Sequence, residues 1–182
     1  EPAFYDLSES DMDITFSAAN TYFGKSENMT LREIVQALRE TYCGTIGAEF
    51  MHCTDPAEKR WWQERLESIR SKPSFSIDQK KHILDRLTAA EGLERYLHTK
   101  YVGQKRFSLE GGESFIASMD EVVQRAGTHG VQEMVIGMAH RGRLNVLVNT
   151  LGKMPADLFA EFDHTAPVHL PAGDVKYHQG FS

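Results

Sequence analysis

Three basic side chains lie close together in one short stretch, where His140, Arg141 and Arg143 surround a single glycine. Two more, Lys176 and His178, lie near the end of the chain. Arginine can bind a carboxylate or phosphate through two parallel hydrogen bonds. Histidine can donate a hydrogen bond to an anion or carry a proton near neutral pH. In an otherwise acidic chain, these residues suit an anionic substrate or a phosphate group.

The same residue types also permit a purely structural interpretation. Arg141 and Arg143 could cap carbonyl groups of a sheet and a helix, and the histidines could be ordinary hydrogen-bonded residues. The sequence contains no P-loop, no GxGxxG and no Ser-His-Asp order. No specific reaction is therefore indicated by these residues alone.

The residues around the basic stretch predict a strand, a turn and a helix. An apolar run covers residues 134–138. It is followed by apolar residues at the spacing of one buried helical face, namely Leu144, Leu147, Val148 and Leu151. Backbone N–H groups and the helix dipole favour an anion at such a helix start. Ligands of parallel sheets lie beyond the carboxyl ends of the strands, which is where His140 and Arg141 would lie.

Composition and charge limit the class of protein. The chain of 182 residues is 41% hydrophobic and 25% charged, which is ordinary for a soluble globular protein. Its net charge of -6 argues against a nucleic-acid binder that relies on a basic surface. No apolar run has the length of a membrane span, and no signal peptide opens the chain. Cys43 and Cys53 form no CxxC pair, which predicts reduced, buried thiols in a reducing compartment, and no zinc-ligand spacing occurs near His52.

Helix-start signals recur between residues 30 and 102. Capping sequences predict four starts, at Thr30, Asp55, Ser76 and Thr88. The apolar stripes that follow predict a small helical region over residues 30–102, preceded by an extended strap over residues 1–29. Trp61 and Trp62 belong to one of these stripes, so we expect them in the core rather than in a ligand site.

The pattern changes in residues 103–182. Gly111 and Gly112 allow close approach of the backbone. A helix, the apolar strand, the basic turn and a last helix that Pro155 opens then follow in order. Because strands that alternate with helices are typical of parallel sheets, we predict an α/β fold with the start of a parallel sheet in this part.

Three motifs carry a resemblance to a known family. RFSLEGGES (106–114), GMAHRGRLNVL (137–147) and GDVKYHQG (173–180) resemble, in order and spacing, the thiamine diphosphate-dependent decarboxylating component of 2-oxoglutarate dehydrogenase complexes. The earlier segments TLREIVQALRETYCGTIGAEFMH and DPAEKRWWQERLE resemble the bacterial form of that family. The resemblance covers nearly the whole chain, and three long motifs in register are too specific for chance.

The resemblance implies an enzyme that binds thiamine diphosphate and magnesium and decarboxylates 2-oxoglutarate. Such an enzyme reductively succinylates a lipoyl group on the dihydrolipoyl succinyltransferase core, forms a homodimer, and lies in the bacterial cytoplasm or the mitochondrial matrix. The resemblance assigns His140 and His178 as catalytic, substrate-binding residues and Arg141 to both cofactor and substrate. Arg143 and Lys176 would support the pocket.

The chain departs from the family by what it lacks. The family's Gly-Asp-Gly motif for magnesium and diphosphate is absent, so we expect no metal ligands within this chain. The pyrimidine-binding domain with its activating glutamate is absent too. Because the chain begins at Glu1 rather than methionine, we expect a fragment that is inactive by itself and needs the remainder of its polypeptide.

Two other interpretations are compatible with the motifs. Relatives that act on 2-oxoadipate, or carboligases that join the intermediate to glyoxylate, would share them. Alternatively, the chain could be a non-catalytic structural or interaction module whose helical region contacts a partner subunit. A large exposed apolar patch over residues 30–102 would favour that interpretation.

Overall fold

The computed structural model describes residues 2–23, 27–163, 165 and 180. The chain divides into two compact units, residues 1–74 and residues 75–182. The described residues form two strands and six α-helices. These are β1 (Thr15–Ser17), β2 (Asn28–Thr30), α1 (Leu31–Tyr42), α2 (Pro56–Glu67), α3 (Ile77–Lys100), α4 (Ser114–Thr128), α5 (Arg143–Asn149) and α6 (Pro155–Phe162). The division of the sequence at residues 29 and 102 stays a prediction.

The first unit is built around α1 and a small antiparallel sheet. Strand β1 pairs with β2, and Phe16 lies opposite Met29. Two short 3₁₀ turns, Pro2–Tyr5 and Glu9–Asp11, precede β1. Apolar side chains of this region pack together, namely Ala18, Phe23, Met29, Ala37 and the half-buried Ile34. The predicted strap is thus attached to the unit by backbone pairing and by a small core.

Three of the four predicted helix starts are confirmed by their capping hydrogen bonds. Thr30 Oγ1 accepts from the Glu33 amide at 3.2 Å, and the Glu33 carboxylate accepts from the Thr30 amide at 2.8 Å. The Asp55 side chain accepts from the Ala57 amide, and the Ser76 hydroxyl forms the equivalent bond in α3. These side chains satisfy amide groups that have no partner inside the helix.

The predicted start at Thr88 is wrong, because α3 runs without interruption through it. The Thr88 hydroxyl donates to the Leu84 carbonyl at 2.8 Å, one turn earlier, so it bonds within the helix instead of capping a new one. Leu84 is also 63% exposed, whereas Leu93 and Leu97 are buried. Neither α3 nor any other helix in the described ranges is both long and apolar enough to cross a membrane.

The expectation that Trp61 and Trp62 lie in the core is also wrong. Their exposed fractions are 48% and 38%, and the two rings pack edge to face against each other at 4.9 Å. Helix α2 instead buries Glu67, which accepts a hydrogen bond from Tyr42 of α1. The helical spacing identified an apolar face, but it carried no information about what covers that face. The burial predicted for Cys43 is wrong as well, because this residue is exposed.

The second unit packs α3, α4, α5 and α6 around two apolar clusters. One cluster joins α3, α5 and α6 through Leu93, Leu97, Tyr101, Leu144, Leu147, Leu158 and Phe162. The other comprises Ala90, Leu109, Ile116 and Val146. Four consecutive residues of α5, from 144 to 147, are buried. This short helix therefore lies at the centre of the unit, and the residues that precede it are held by a well-packed element.

The predicted strand over residues 134–138 is not formed, and the sheet of the described residues is the antiparallel β1–β2 pair alone. The observed fold of the described residues is mixed helical with this small sheet, and the parallel α/β sheet stays a prediction. A strand requires a hydrogen-bonded neighbour, and none pairs with this segment in the described structure. Two of its apolar side chains are accordingly exposed, Val135 to 97% and Met134 to 41%, whereas Met138 packs against the second cluster.

Candidate functional site

His140 and Arg141 lie in a tight turn that leads directly into α5; we call residues 140–142 the basic turn. The Arg143 amide donates to the His140 carbonyl at 3.0 Å and closes it. Gly142 is buried and left-handed, with φ of 74°. A Cβ atom at this position would lie 2.7 Å from Leu109 Cδ1. Both the dihedral angle and the lack of space therefore require glycine here.

The basic turn is attached to residues 106–109, which we call the supporting loop. The Gly142 amide donates to the Phe107 carbonyl at 2.9 Å. The half-buried His140 ring stacks on the Phe107 ring, with the centroids 4.9 Å apart and the planes at 21°. Phe107 itself has φ of 46°, an unfavourable conformation for a bulky residue. The loop must therefore be held in place by its surroundings.

Arg141 is exposed and is anchored at one end of its guanidinium group. Its Nη1 donates to the Ser108 carbonyl at 2.9 Å. A guanidinium group has five N–H donors, so one bond to the loop orients the group without using all of its donors. An anion bound there would gain a charge-assisted hydrogen bond.

Arg143 has a different position from its neighbours. Its Nη1 donates to the Met138 carbonyl at 2.9 Å, and the residue is only half exposed. Capping a carbonyl is the structural role that the sequence left open for this arginine. Lys176 and His178 lie outside the described residues, so the predicted cluster of five cations is described only for its first three members.

A buried polar network lies behind the supporting loop. Glu94 of α3 is 3% exposed. Its Oε1 accepts from the Leu109 amide at 3.1 Å and from Asn145 Nδ2 at 3.1 Å. Its Oε2 accepts from Arg106 Nη1 at 2.8 Å. Asn145 is fully buried and also donates to the Ala90 carbonyl at 2.9 Å. The carboxylate thus connects α3, α5 and both ends of the supporting loop.

Sequence reasoning missed Phe107, Glu94 and Asn145 as parts of the site. For Glu94 and Asn145, the sequence nevertheless contains a signal. Glu94 lies between Leu93 and Leu97 on the apolar stripe of α3, and Asn145 interrupts the apolar start of α5. A polar residue on a buried helical face must have hydrogen-bond partners. Such interruptions of an apolar stripe therefore indicate a buried network, although they do not identify its members.

The described residues offer the chemistry of anion binding. His140 and Arg141 are neighbours in the sequence, and both side chains are oriented by contacts with the supporting loop. The imidazole can in addition donate a hydrogen bond to an anion. Among the residues that the structure describes, no group of three or more His, Cys, Asp or Glu side chains is arranged to hold a metal ion.

Comparison with known proteins gives clear relatives. The chain is 76% identical over 182 residues to the 2-oxoglutarate dehydrogenase E1 component of Cupriavidus necator. The aligned region is the whole of this chain and 19% of that relative. It is 59% identical over 178 residues, 98% of the chain, to the E1 component of Azotobacter vinelandii, and 51% identical over 178 residues to that of Haemophilus influenzae. The aligned part is 19% of each of these two relatives.

A separate comparison with models of known protein families gives no match. The chain spans about a fifth of the length of the curated relatives that it resembles. Identities of this size over nearly every residue confirm the resemblance carried by the three motifs. This chain is therefore homologous, over its full length, to one segment of the 2-oxoglutarate dehydrogenase E1 component.

Proposed function

We propose that this chain is part of a 2-oxoglutarate dehydrogenase E1 component and contributes the basic turn to its active site. In this proposal the whole enzyme decarboxylates 2-oxoglutarate and transfers the succinyl group to a lipoyl group. The observation that carries the proposal is the 76% identity over the whole chain to a relative of that name. The geometry of the turn supplies the residues that such a dianionic substrate needs.

The two side chains of the turn suit the substrate's charge. 2-Oxoglutarate carries two carboxylates, so its site needs positive hydrogen-bond donors. Arg141 is exposed and oriented by the Ser108 carbonyl, and His140 is oriented by the Phe107 ring. Donors that are held in place before binding lose little conformational freedom when the anion arrives. We assign His140 and Arg141 to substrate binding, and His178, which lies outside the described residues, to the same substrate.

The same donor set also fits the anionic end of thiamine diphosphate. A guanidinium group matches phosphate oxygens well, so Arg141 is the described residue that would hold this group. When bound, the cofactor supplies an electron sink for decarboxylation. The role of this chain's residues is to bind and orient the substrate and, at the His140 imidazole, to hold or move a proton. We assign the magnesium ligands to residues outside this chain.

The finer parts of the proposal concern assembly and fold. We propose a homodimer that works with a dihydrolipoyl succinyltransferase core and its lipoyl domain, in the cytoplasm of a bacterium. We also propose that residues 134–138 become a strand of a parallel sheet in the whole protein. The exposure of Val135 and Met134 supports this, because these apolar side chains would be buried by a neighbouring strand.

The test is an activity assay on the E1 polypeptide that contains this chain. We expect decarboxylation of 2-oxoglutarate that depends on thiamine diphosphate and magnesium, and none from residues 1–182 alone. His140→Ala and Arg141→Met should each lower kcat/KM about 10- to 100-fold, since each removes a hydrogen bond to a charged group.

Matched controls exist in the same unit. Arg95→Met removes an exposed arginine whose described ion pair is with Glu91. His129→Ala removes an exposed histidine at the end of α4. Both should leave kcat/KM within about twofold of wild type, as surface substitutions do. Unchanged kinetics in both turn variants would contradict the assignment of the site, and no turnover by the wild type would contradict the proposed reaction.

The choice of substrate is tested in the same assay. A preference for 2-oxoadipate would assign the chain to a 2-oxoadipate dehydrogenase. Formation of a product from 2-oxoglutarate and glyoxylate, without lipoyl succinylation, would assign it to a carboligase.

A second role for the first unit is supported by the exposed Trp61–Trp62 pair. Large apolar side chains are enriched at protein interfaces and depleted on free surfaces. We propose that α2 contacts a partner subunit through this pair. Trp61→Ser combined with Trp62→Ser should shift the oligomeric state in analytical ultracentrifugation, whereas an unchanged sedimentation profile would exclude this role.

A further inference from the structure

We propose that Glu94 is a positioning residue for the basic turn, and that it acts through the supporting loop together with Arg106 and Asn145. The inference rests on the proposed function, because it takes His140 and Arg141 as residues that bind the substrate. Glu94 itself lies behind the loop and does not belong to the turn. Its role is to hold the loop that orients both side chains.

The first step of the argument is the burial of the carboxylate. Glu94 is 3% exposed and the Arg106 side chain is 10% exposed. A buried charge is strongly unfavourable unless its oxygens are paired and hydrogen-bonded. Here both oxygens accept hydrogen bonds, from Arg106, Asn145 and the Leu109 amide. Such a fully satisfied network has one favourable geometry and therefore fixes the groups that form it.

The second step is that the network holds both ends of the supporting loop. Arg106 is bound through its side chain, and Leu109 through its backbone amide. The two residues between them make the hydrogen bonds and the ring contact with the turn. Phe107 has an unfavourable positive φ, so the loop would relax without its end contacts.

The third step is the contact between the loop and each residue of the turn. The Phe107 ring stacks on His140, the Ser108 carbonyl accepts from Arg141, and the Phe107 carbonyl accepts from the Gly142 amide. A shift of the loop would therefore move all three residues of the turn together.

The fourth step is the connection to α5. Asn145 is fully buried in the first turn of this helix and donates to Glu94. It also accepts from Asn149 Nδ2 at 2.7 Å. The same carboxylate thus fixes the loop and the helix that begins at the turn. The loop and the helix are held in one relative position, which is the position that orients His140 and Arg141.

The experiment uses the complete E1 polypeptide with the substitution Glu94→Gln. The glutamine is close in size but is uncharged. In either orientation its NH2 group would face donors, those of Arg106 or those of Leu109 and Asn145. Glu161→Gln is the matched control, because Glu161 forms another largely buried ion pair of the same unit, with Lys153 at 2.8 Å. Among the described contacts, this control pair bonds to neither the supporting loop nor the basic turn.

Two readouts are measured on each variant. Hydrogen exchange followed by mass spectrometry reports the amides of Leu109 and Gly142, in peptides that cover residues 106–112 and 140–146. Steady-state kinetics reports KM and kcat for 2-oxoglutarate separately. A merely structural role lowers the amount of folded enzyme, and this reduces apparent kcat without changing KM.

We expect Glu94→Gln to accelerate exchange about 10-fold or more in both peptides and to raise KM about 10- to 100-fold, with a smaller change in kcat. Glu161→Gln should leave both peptides and KM unchanged. Arg106→Met should raise KM in the same way. Arg106→Lys keeps a cation beside Glu94 and should therefore show only a small part of that rise.

Two results would overturn the inference while leaving the proposed function intact. One is unchanged exchange of the 140–146 peptide in Glu94→Gln. The other is a reduced kcat with an unchanged KM, as a structural role predicts. A wild-type enzyme without 2-oxoglutarate turnover would overturn the proposed function instead, and the exchange data would then still decide whether Glu94 orders the turn.

Discussion

The imidazole of His140 lies parallel to the phenyl ring of Phe107, with 4.9 Å between the ring centroids and 21° between the planes. The two residues are 33 positions apart in the sequence. Phe107 adopts a positive φ in the loop that carries this ring. The orientation of the proposed substrate-binding histidine therefore depends on a strained loop. In the sequence, helix α4 lies between this loop and the histidine.

The stack can be removed without changing the turn itself. Phe107→Leu should raise KM for 2-oxoglutarate about 10-fold, because aromatic pairs contribute about 0.5–1.5 kcal/mol beyond their buried area and the ring orientation is lost with them. Phe107→Tyr keeps the ring and should remain close to wild type. Steady-state kinetics on both variants checks this, and equal KM values would show that the stack has no part in binding.

Gly142 should be intolerant of any side chain. Gly142→Ala places a Cβ atom 2.7 Å from Leu109 Cδ1 and forces a left-handed conformation on alanine. The combined cost is about 2–5 kcal/mol, from the strained dihedral and from overpacking. Chemical denaturation should therefore show a clear loss of stability.

Gly92 is the matched glycine and should respond in the opposite direction. It lies inside α3, where an added Cβ meets nothing within 4 Å. Gly92→Ala should stabilise the protein by about 0.5–1 kcal/mol, because alanine has the higher helix propensity. A destabilising Gly92→Ala, or a neutral Gly142→Ala, would be inconsistent with the backbone described above.

Glu40 should contribute stability that disappears in acid. Hydrogen bonds from Gln36 and then Arg70, together with the charges of Lys72 and Arg70, lower the pKa of Glu40 from 4.5 to about 2. A carboxyl group with a lowered folded pKa stabilises the protein above its unfolded pKa and loses this effect as the pH falls through the folded pKa. The relevant window thus lies between about pH 4.5 and pH 2.

Urea unfolding of the wild type and of Glu40→Gln over this window tests the effect. The wild type should be the more stable protein above pH 4.5, and its advantage should shrink as the pH approaches 2. Subtracting the free energy of unfolding of Glu40→Gln from that of the wild type at each pH cancels the contribution of the other carboxylates. A difference in the free energy of unfolding that stays constant or grows as the pH falls would contradict the lowered pKa of Glu40.

Tyr42 should stabilise the first unit through a buried carboxylate. Its hydroxyl donates to Glu67 Oε1 at 2.8 Å, and Glu67 is 7% exposed. Burial, and then the bond to Glu67, raise the pKa of Tyr42 well above its usual range. Tyr42→Phe leaves one carboxylate oxygen without this donor, so thermal unfolding should show a loss of about 1–3 kcal/mol. Tyr5→Phe, at a 71% exposed position, should change nothing measurable.

Local sequence determined three of the helix starts and the turn that leads into α5. A capping residue bonds to an amide only two or three positions away, so the chain itself contains both partners of that interaction. The starts at Thr30, Asp55 and Ser76 were predictable for this reason. The three motifs also identified the family, because long motifs in register are specific without any knowledge of the fold.

Tertiary structure alone decided which apolar faces are covered and which residues support the site. Trp61 and Trp62 have the spacing of a buried face, yet they are exposed, because burial depends on elements that are distant in the sequence. The strand predicted over residues 134–138 lacks a neighbour for the same reason. Glu94 likewise acquired its role from Arg106 and Asn145, since a buried carboxylate can be placed only where separate segments bring donors to both of its oxygens.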